Sequence, residues 1–214
     1  MRFPLRSLTL ATALLAGVGG CADSTGGGGG GKPPSALNVI RLADTAPPLC
    51  ADSTGGWAVR DPNGQDFEFA LVFPESGNLA DCNGGSTEDF LRLKIEKDAI
   101  QRRPDGSLIA DGDSVFISVK WVGNDSLLFD LQPSGLVFDP ANPAELKIEY
   151  GEAGSDLNDD GNTDGEDDDI ETRLDIWRQE QPGDDFVRVG TAKLEDENEI
   201  EAKLNGFSRY AIAY

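Results

Sequence analysis

The densest chemistry in the chain lies in residues 156–171, which read DLNDDGNTDGEDDDIE. Nine of these sixteen residues are acidic and none is basic. Oxygen ligands crowded this closely suit a hard cation. Calcium takes six to eight oxygens around one point, and alternating side chains in a tight loop supply them. Counted from Asp156, the side chains of Asp156, Asn158, Asp160, Asp164 and Asp167 fall at positions 1, 3, 5, 9 and 12 of a twelve-residue loop. Gly161 falls at position 6, where such a loop turns sharply, and the backbone carbonyl of Asn162 falls at position 7. The spacing predicts that Asp156, Asn158, Asp160, Asn162, Asp164 and Asp167 bind one Ca2+. The expected affinity is that of extracellular modules, about 10⁻⁴–10⁻³ M.

A second register fits four residues on, through Asp160, Asn162, Asp164, Gly165 and Glu171. It puts charged Asp167 at position 8, where an EF-hand has an apolar residue, so the first register is preferred. The two could also share a pair of ions. The competing reading is an ordinary solvated acidic loop between strands at 144–150 and 172–179, which is what acidic runs usually are. Against it stands the self-repulsion of nine carboxylates, which a bound cation removes. No clear helices flank the run, so an EF-hand proper is not expected. With Asp in place of Glu at position 12, the loop resembles the calcium loops of dockerins. The run is also similar to the thrombospondin type 3 pattern.

Other chemistry is thin. The chain has no histidine, which removes Ser-His-Asp and Cys-His mechanisms, His-ligated zinc and the commonest general base near neutral pH. Asp184 and Asp185 are adjacent, and on a strand they would face opposite sides, which does not suit a glycosidase pair. Trp57, Trp121 and Trp177 could stack on sugars, but residues of this type more often pack in a core. Lys and Arg number 18 against 39 Asp and Glu, for a net charge of −21. Such a field repels nucleic acid and anionic headgroups and attracts cations and basic partners, so DNA or RNA binding is excluded.

The first residues position all of this. Residues 1–21 read MRFPLRSLTLATALLAGVGGC, with Arg2 and Arg6 ahead of a short apolar run at 8–18 and two glycines before Cys21. The run is too short for a retained membrane span. The segment resembles a bacterial lipoprotein leader, which implies removal of residues 1–20 and a covalent lipid on Cys21. Ala22 follows the cysteine where an Asp would imply inner-membrane retention, so the resemblance implies the outer membrane. Loss of Arg2 and Arg6 would leave the mature chain more acidic still. With Cys21 lipidated, Cys50 and Cys82 remain, and an oxidising envelope favours a disulfide between them. Residues 21–36 contain six consecutive glycines and a Pro pair, the composition of a flexible tether. The heptapeptide CADSTGG at 21–27 recurs at 50–56.

From residue 37 to 214 the chain reads as strands. Apolar residues alternate at Phe67, Phe69, Leu71 and Phe73, at Leu91, Leu93 and Ile95, and at Val115, Ile117, Val119 and Trp121. They alternate again at Leu136 and Phe138, at Leu146, Ile148 and Tyr150, at Leu174 and Ile176, at Val187 and Val189, and at Ile200, Ala202 and Leu204. Period two with charges between describes strands with one buried and one wet face. Turn signals such as Pro62-Asn63-Gly64 and Pro133-Ser134-Gly135 punctuate them. No sustained helical stripe is visible, although Ile170, Leu174 and Trp177 could mark one or two turns. The expected fold is an all-β antiparallel sandwich carrying the acidic loop as an insertion.

Residues 88–214 resemble a known β-sandwich family. The residues that carry the resemblance are LRLKIEKDAI at 91–100, the strand at 114–121, the stretch Gly135-Leu-Val-Phe138 running on to Leu146, and the close Phe207-Ser208-Arg209-Tyr210-Ala211. The domain is the one shared by netrin receptors, ankyrins, tight-junction scaffolds and many bacterial envelope proteins. It implies a structural or protein-interaction module with no catalytic residues. The sequence reading is thus a non-enzymatic, lipid-anchored envelope protein whose protein or glycan partner is unnamed. The alternative is a calcium-dependent carbohydrate-binding or adhesive module, which would need an exposed tryptophan beside the metal loop.

Overall fold

The alternating segments form two antiparallel sheets in the computed structural model, which describes residues 31–194 and 198–214, except for the side chains of residues 193 and 194. The leader expected at residues 1–20 and the lipid site expected at Cys21 lie outside the described residues. In chain order the strands are β1 (Ser53–Val59), β2 (Phe67–Pro74), β3 (Thr87–Ile95), β4 (Ile100–Arg102), β5 (Ser114–Trp121), β6 (Leu128–Gln132), β7 (Val137–Phe138) and β8 (Ala144–Glu149). A helix, α1 (Gly165–Arg173), precedes β9 (Asp175–Gln179), β10 (Phe186–Arg188), β11 (Thr191–Leu194), β12 (Glu199–Leu204) and β13 (Arg209–Ala213). One sheet runs β1-β5-β6-β13-β9-β10, the other β11-β12-β8-β3-β2, and β4 pairs β7 in a small ribbon.

The two sheets close on one core, as an all-β antiparallel sandwich. Ile117, Val119, Phe129, Leu131 and Tyr210 come from the six-stranded sheet, and Leu71, Leu91, Leu93, Leu146 and Ile148 from the five-stranded one. Each such side chain contributes about 1.5–3 kcal/mol when removed from water. The charged residues between them lie on the wet face: Lys147 lies between Leu146 and Ile148 and reaches Glu199 at 2.7 Å. The expected disulfide is present. Cys50 and Cys82 are joined with their Cα atoms 5.4 Å apart, tying the entry to β1 to the turn after β2.

Four local differences from the sequence reading have physical causes. β6 and β13 lie at the centre of the six-stranded sheet, although the sequence reading places no strand on the short alternation of Leu127, Phe129 and Leu131, which is flanked by turns. Val187 is 52% exposed, because the buried residue of β10 is Phe186, which packs on the outer face of the sheet with Leu37 and Trp177. The strand expected at 172–179 begins only at Asp175, since residues 165–173 are helical. Asp184 and Asp185 lie in the turn before β10 rather than on a strand, with the Asp184 carboxylate accepting from Gln181 N–H at 3.1 Å.

The chain leaving the predicted tether docks earlier than composition suggests. Lys32 exchanges two backbone hydrogen bonds with Phe186, at 2.8 and 2.7 Å, and Val39 bridges Ala213. Residues 32–41 therefore run from β10 to β13, pairing with backbone at both ends. Ile40 lies in the main core and Leu37 over the outer face of the six-stranded sheet. There Leu37, Trp177, Phe186, Ala211 and Ala213 form a second, smaller core. This segment brings Arg41 to the acidic loop.

Candidate calcium loop

The loop at 156–164 and helix α1 form a unit held together by their own carboxylates. Asp156 accepts from the backbone N–H of Asp160 at 3.1 Å and of Gly161 at 2.8 Å. Asn158 Oδ1 accepts from Asp160 N–H at 3.0 Å, and Asp160 Oδ1 from Asn162 N–H at 2.9 Å. These are Asx turns in series, and they explain why short acidic and amide side chains alternate here. Gly161 sits at φ +88°, in the left-handed region that a side chain disfavours, so the sharp turn of position 6 falls on the glycine.

Asp164 ends the loop and starts the helix. Its carboxylate accepts from Glu166 N–H at 2.8 Å, while Asp167 Oδ2 accepts from Asp164 N–H at 2.9 Å, a reciprocal capping box. Asp167 Oδ1 also accepts from Leu157 N–H at 2.8 Å. Position 12 thus reaches back to position 2 and closes the ring of the loop. Asp167 is buried, and backbone donors, that of Asp164 foremost and then those of Leu157 and Asn158, hold its carboxyl below the usual range. Acidic residues in the first turn of α1 also face the positive end of its dipole, where they are favoured.

All six predicted ligand residues therefore lie in one compact turn. Among the described residues, however, no three or more His, Cys, Asp or Glu side chains gather into a group that could hold a metal ion. The carboxylates are directed at backbone N–H groups instead. The donor chemistry still suits calcium, since every member is a hard oxygen and each ionised carboxylate offers about four acceptor sites, more than these bonds use.

The second register meets a different geometry. Residues 165–171 are helical, so positions 6 to 12 of that register cannot wrap an ion as a loop, and Glu171 accepts from Tyr150 Oη at 3.1 Å. The helix also alters the expectation that no helix flanks the loop: α1 forms from the second half of the run itself, directly after residue 164, and a short 3-10 turn at Gly151–Ala153 precedes the run. Its signal was present in Asp164 and Asp167 as a capping box, but the buried face is narrow, chiefly Asp167 and Ile170, and shows no stripe.

Sequence spacing gave no hint of Arg41. Its guanidinium pairs with Asp125, at the turn before β6, and with Asp159 at 3.3 Å. That bond to Arg41 is the main reason the Asp125 carboxyl sits below its ordinary value. Arg41 thus links the docked N-terminal segment to the acidic loop and to the six-stranded sheet. Together they border an open cleft lined in part by Leu42, Asp44, Ser155, Asp156 and Tyr214.

No tryptophan lines that cleft. Trp177 is buried and donates from Nε1 to the Ala213 carbonyl at 3.1 Å, and Trp121 donates likewise to the Ser126 carbonyl at 2.7 Å. Trp57 is 65% exposed on β1, edge-on to Phe116 at 5.5 Å between ring centroids. No family model, curated protein or solved structure matches the chain.

Proposed function

We propose that this chain is a non-enzymatic envelope lipoprotein, anchored through Cys21, whose β-sandwich serves structure or protein interaction and whose loop at 156–167 binds one Ca2+. The observation that carries the calcium reading is the coincidence of three features at the positions a twelve-residue oxygen loop requires. The left-handed Gly161 stands at position 6, the helix cap Asp164 at position 9, and Asp167 at position 12 folds back on Leu157. Asp156, Asn158, Asp160 and Asp164 would supply side-chain oxygens and Asn162 its carbonyl, with Asp167 closing the site. Bound there, the ion would neutralise a crowd of like charges and stiffen the junction between β8 and β9. Kinship with the sandwich domain of netrin receptors and ankyrins belongs to the same proposal, supported by the strands formed at 87–95, 114–121 and 144–149. A carbohydrate module dependent on calcium has less support, because the exposed Trp57 does not line the cleft beside the loop.

Calorimetric titration of Ca2+ into the protein at low ionic strength tests the reading. Saturable heat is expected with a dissociation constant of about 10⁻⁴–10⁻³ M. Calcium should also raise the melting temperature, by an amount that follows mass action, about 2.7 kcal/mol at a hundred-fold excess over the dissociation constant. The double variant Asp156→Asn, Asp160→Ala should lose both effects, while changes at Asp184 and Asp185 leave them intact. Absence of saturable heat up to about 10 mM Ca2+, above the weak end of that range, would reduce the stretch to a solvated acidic loop.

A further inference from the structure

We infer that β1 is a self-association edge, extended by β1 of a second copy of this chain through antiparallel strand pairing. β1 ends the six-stranded sheet, and among the described residues β5 is its one strand partner. The register decides which backbone groups remain. Arg60 N–H donates to the Asp113 carbonyl at 2.9 Å, and Trp121 N–H to the Asp52 carbonyl at 2.8 Å. Bonded and non-bonded positions alternate along an antiparallel pair. Thr54, Gly56 and Ala58 therefore bond β5, while the N–H and C=O of Ser53, Gly55, Trp57 and Val59 point away from it. The open window has clear ends, since Asp61 N–H is taken by the Lys97 carbonyl at 2.8 Å and Cys50 N–H by that of Val72 at 3.0 Å.

Soluble proteins guard such edges with Lys, Pro or a bulge. The β1 sequence STGGWAV has no charge and no proline in a chain of net charge −21, and its Trp57 and Val59 are 65% and 46% exposed. The strand is also complementary to itself. About a two-fold axis at Gly56, Ser53 meets Val59 and Gly55 meets Trp57 of the other copy, so that outward-facing backbone groups meet one another. Each indole then lies over a position with no side chain, an arrangement that favours aromatic–glycine cross-strand pairs. Gly55 is held to glycine by its own sheet, because a Cβ there would lie 2.4 Å from the Ile117 carbonyl oxygen. A shift of two residues in either direction sets Trp57 or Gly55 opposite itself and loses the Trp57–Gly55 match.

Sedimentation of the purified full chain, in excess non-ionic detergent to keep the apolar stretch at 8–18 from driving association, gives the first readout. The second is hydrogen exchange read residue by residue at the same concentrations. The expected result is a mass that rises from one chain to two with concentration. Protection at Gly55, Trp57 and Val59 should rise about ten-fold or more in step, while Thr54, Gly56 and Ala58 stay protected throughout. Trp57→Lys and, separately, Val59→Lys should remain at one chain with an unchanged circular dichroism spectrum. Two variants are used so that misfolding of one leaves the other to decide. A mass of one chain up to about 1 mM overturns the proposal. So does a dimer that survives both substitutions, or protection of the odd-numbered amides that does not change on dilution, which would mean that a segment of the same chain fills the edge.

Discussion

Asp167 shows how one residue can have a role that its spacing foretells only in part. Position 12 of an oxygen loop marked it as a ligand, yet its two carboxylate oxygens accept from Leu157 and Asp164 N–H and join the start of the loop to the start of α1. A carboxyl held low by backbone donors contributes stability above its unfolded pKa, near 3.8, and that contribution is lost as pH falls through the lower folded value. The protein should therefore lose stability below pH 3.8 partly through this group. Urea midpoints followed downward from that pH in calcium-free buffer should fall less steeply for Asp167→Asn than for the wild type. Parallel slopes would mean that Asp167 is not tied to the loop in solution. Arg41 is the contrasting case, since nothing in its sequence neighbourhood points to Asp125 or Asp159, 84 and 118 residues away.

At the scale of elements, the strands whose inward residues alternate cleanly were legible. Leu91, Leu93 and Ile95 in β3 and Leu146 and Ile148 in β8 lie where the pattern put them. The elements that were misread are short or face two ways. β10 spans Phe186–Arg188 alone, so a pattern of two valines could be set in either register, and packing of Phe186 beneath residues 32–37 chose it. Helix α1 rests on its capping box and on Ile170 rather than on a hydrophobic stripe, so periodicity could not find it. The Cys50–Cys82 bond, with a sequence separation of 32, fixes the ends of the segment that carries β1 and β2. Its removal should release about 3–4 kcal/mol of loop entropy into the unfolded chain. Chemical denaturation of Cys50→Ser, Cys82→Ser should show that loss with an otherwise native spectrum. A change under about 1 kcal/mol would indicate that the denatured chain is already compact there.

At the scale of the whole molecule, charge bears on the proposed anchoring. An excess of 21 negative charges keeps the surface soluble and repels anionic lipid headgroups, so a covalent lipid, not the protein surface, would hold the chain at a membrane. The leader proposed at residues 1–20 would place that lipid on Cys21. Mass spectrometry of protein made in a bacterial host should find residues 1–20 removed and a diacylglyceryl adduct on Cys21. A mature, unlipidated chain that starts elsewhere would refute the anchor. Among the described residues the chain is docked from Lys32 on, within the stretch expected from composition to be tether.

Composition and period determined the class of this protein. Two-residue alternation marks any strand with one buried face, and glycine, proline and asparagine mark the turns between, so a β-sandwich with an acidic insertion could be read from local signals alone. The left-handed turn at Gly161 and the Asp164–Asp167 cap had a local basis too. Tertiary structure decided what depends on distant segments: which of two faces Phe186 and Val187 take, that β6 and β13 occupy the centre of a sheet, that Arg41 meets Asp159, and that β1 lies at an edge. Side-chain period specifies which face of a strand is buried, but not its neighbours. Those follow from how the whole chain closes around its core.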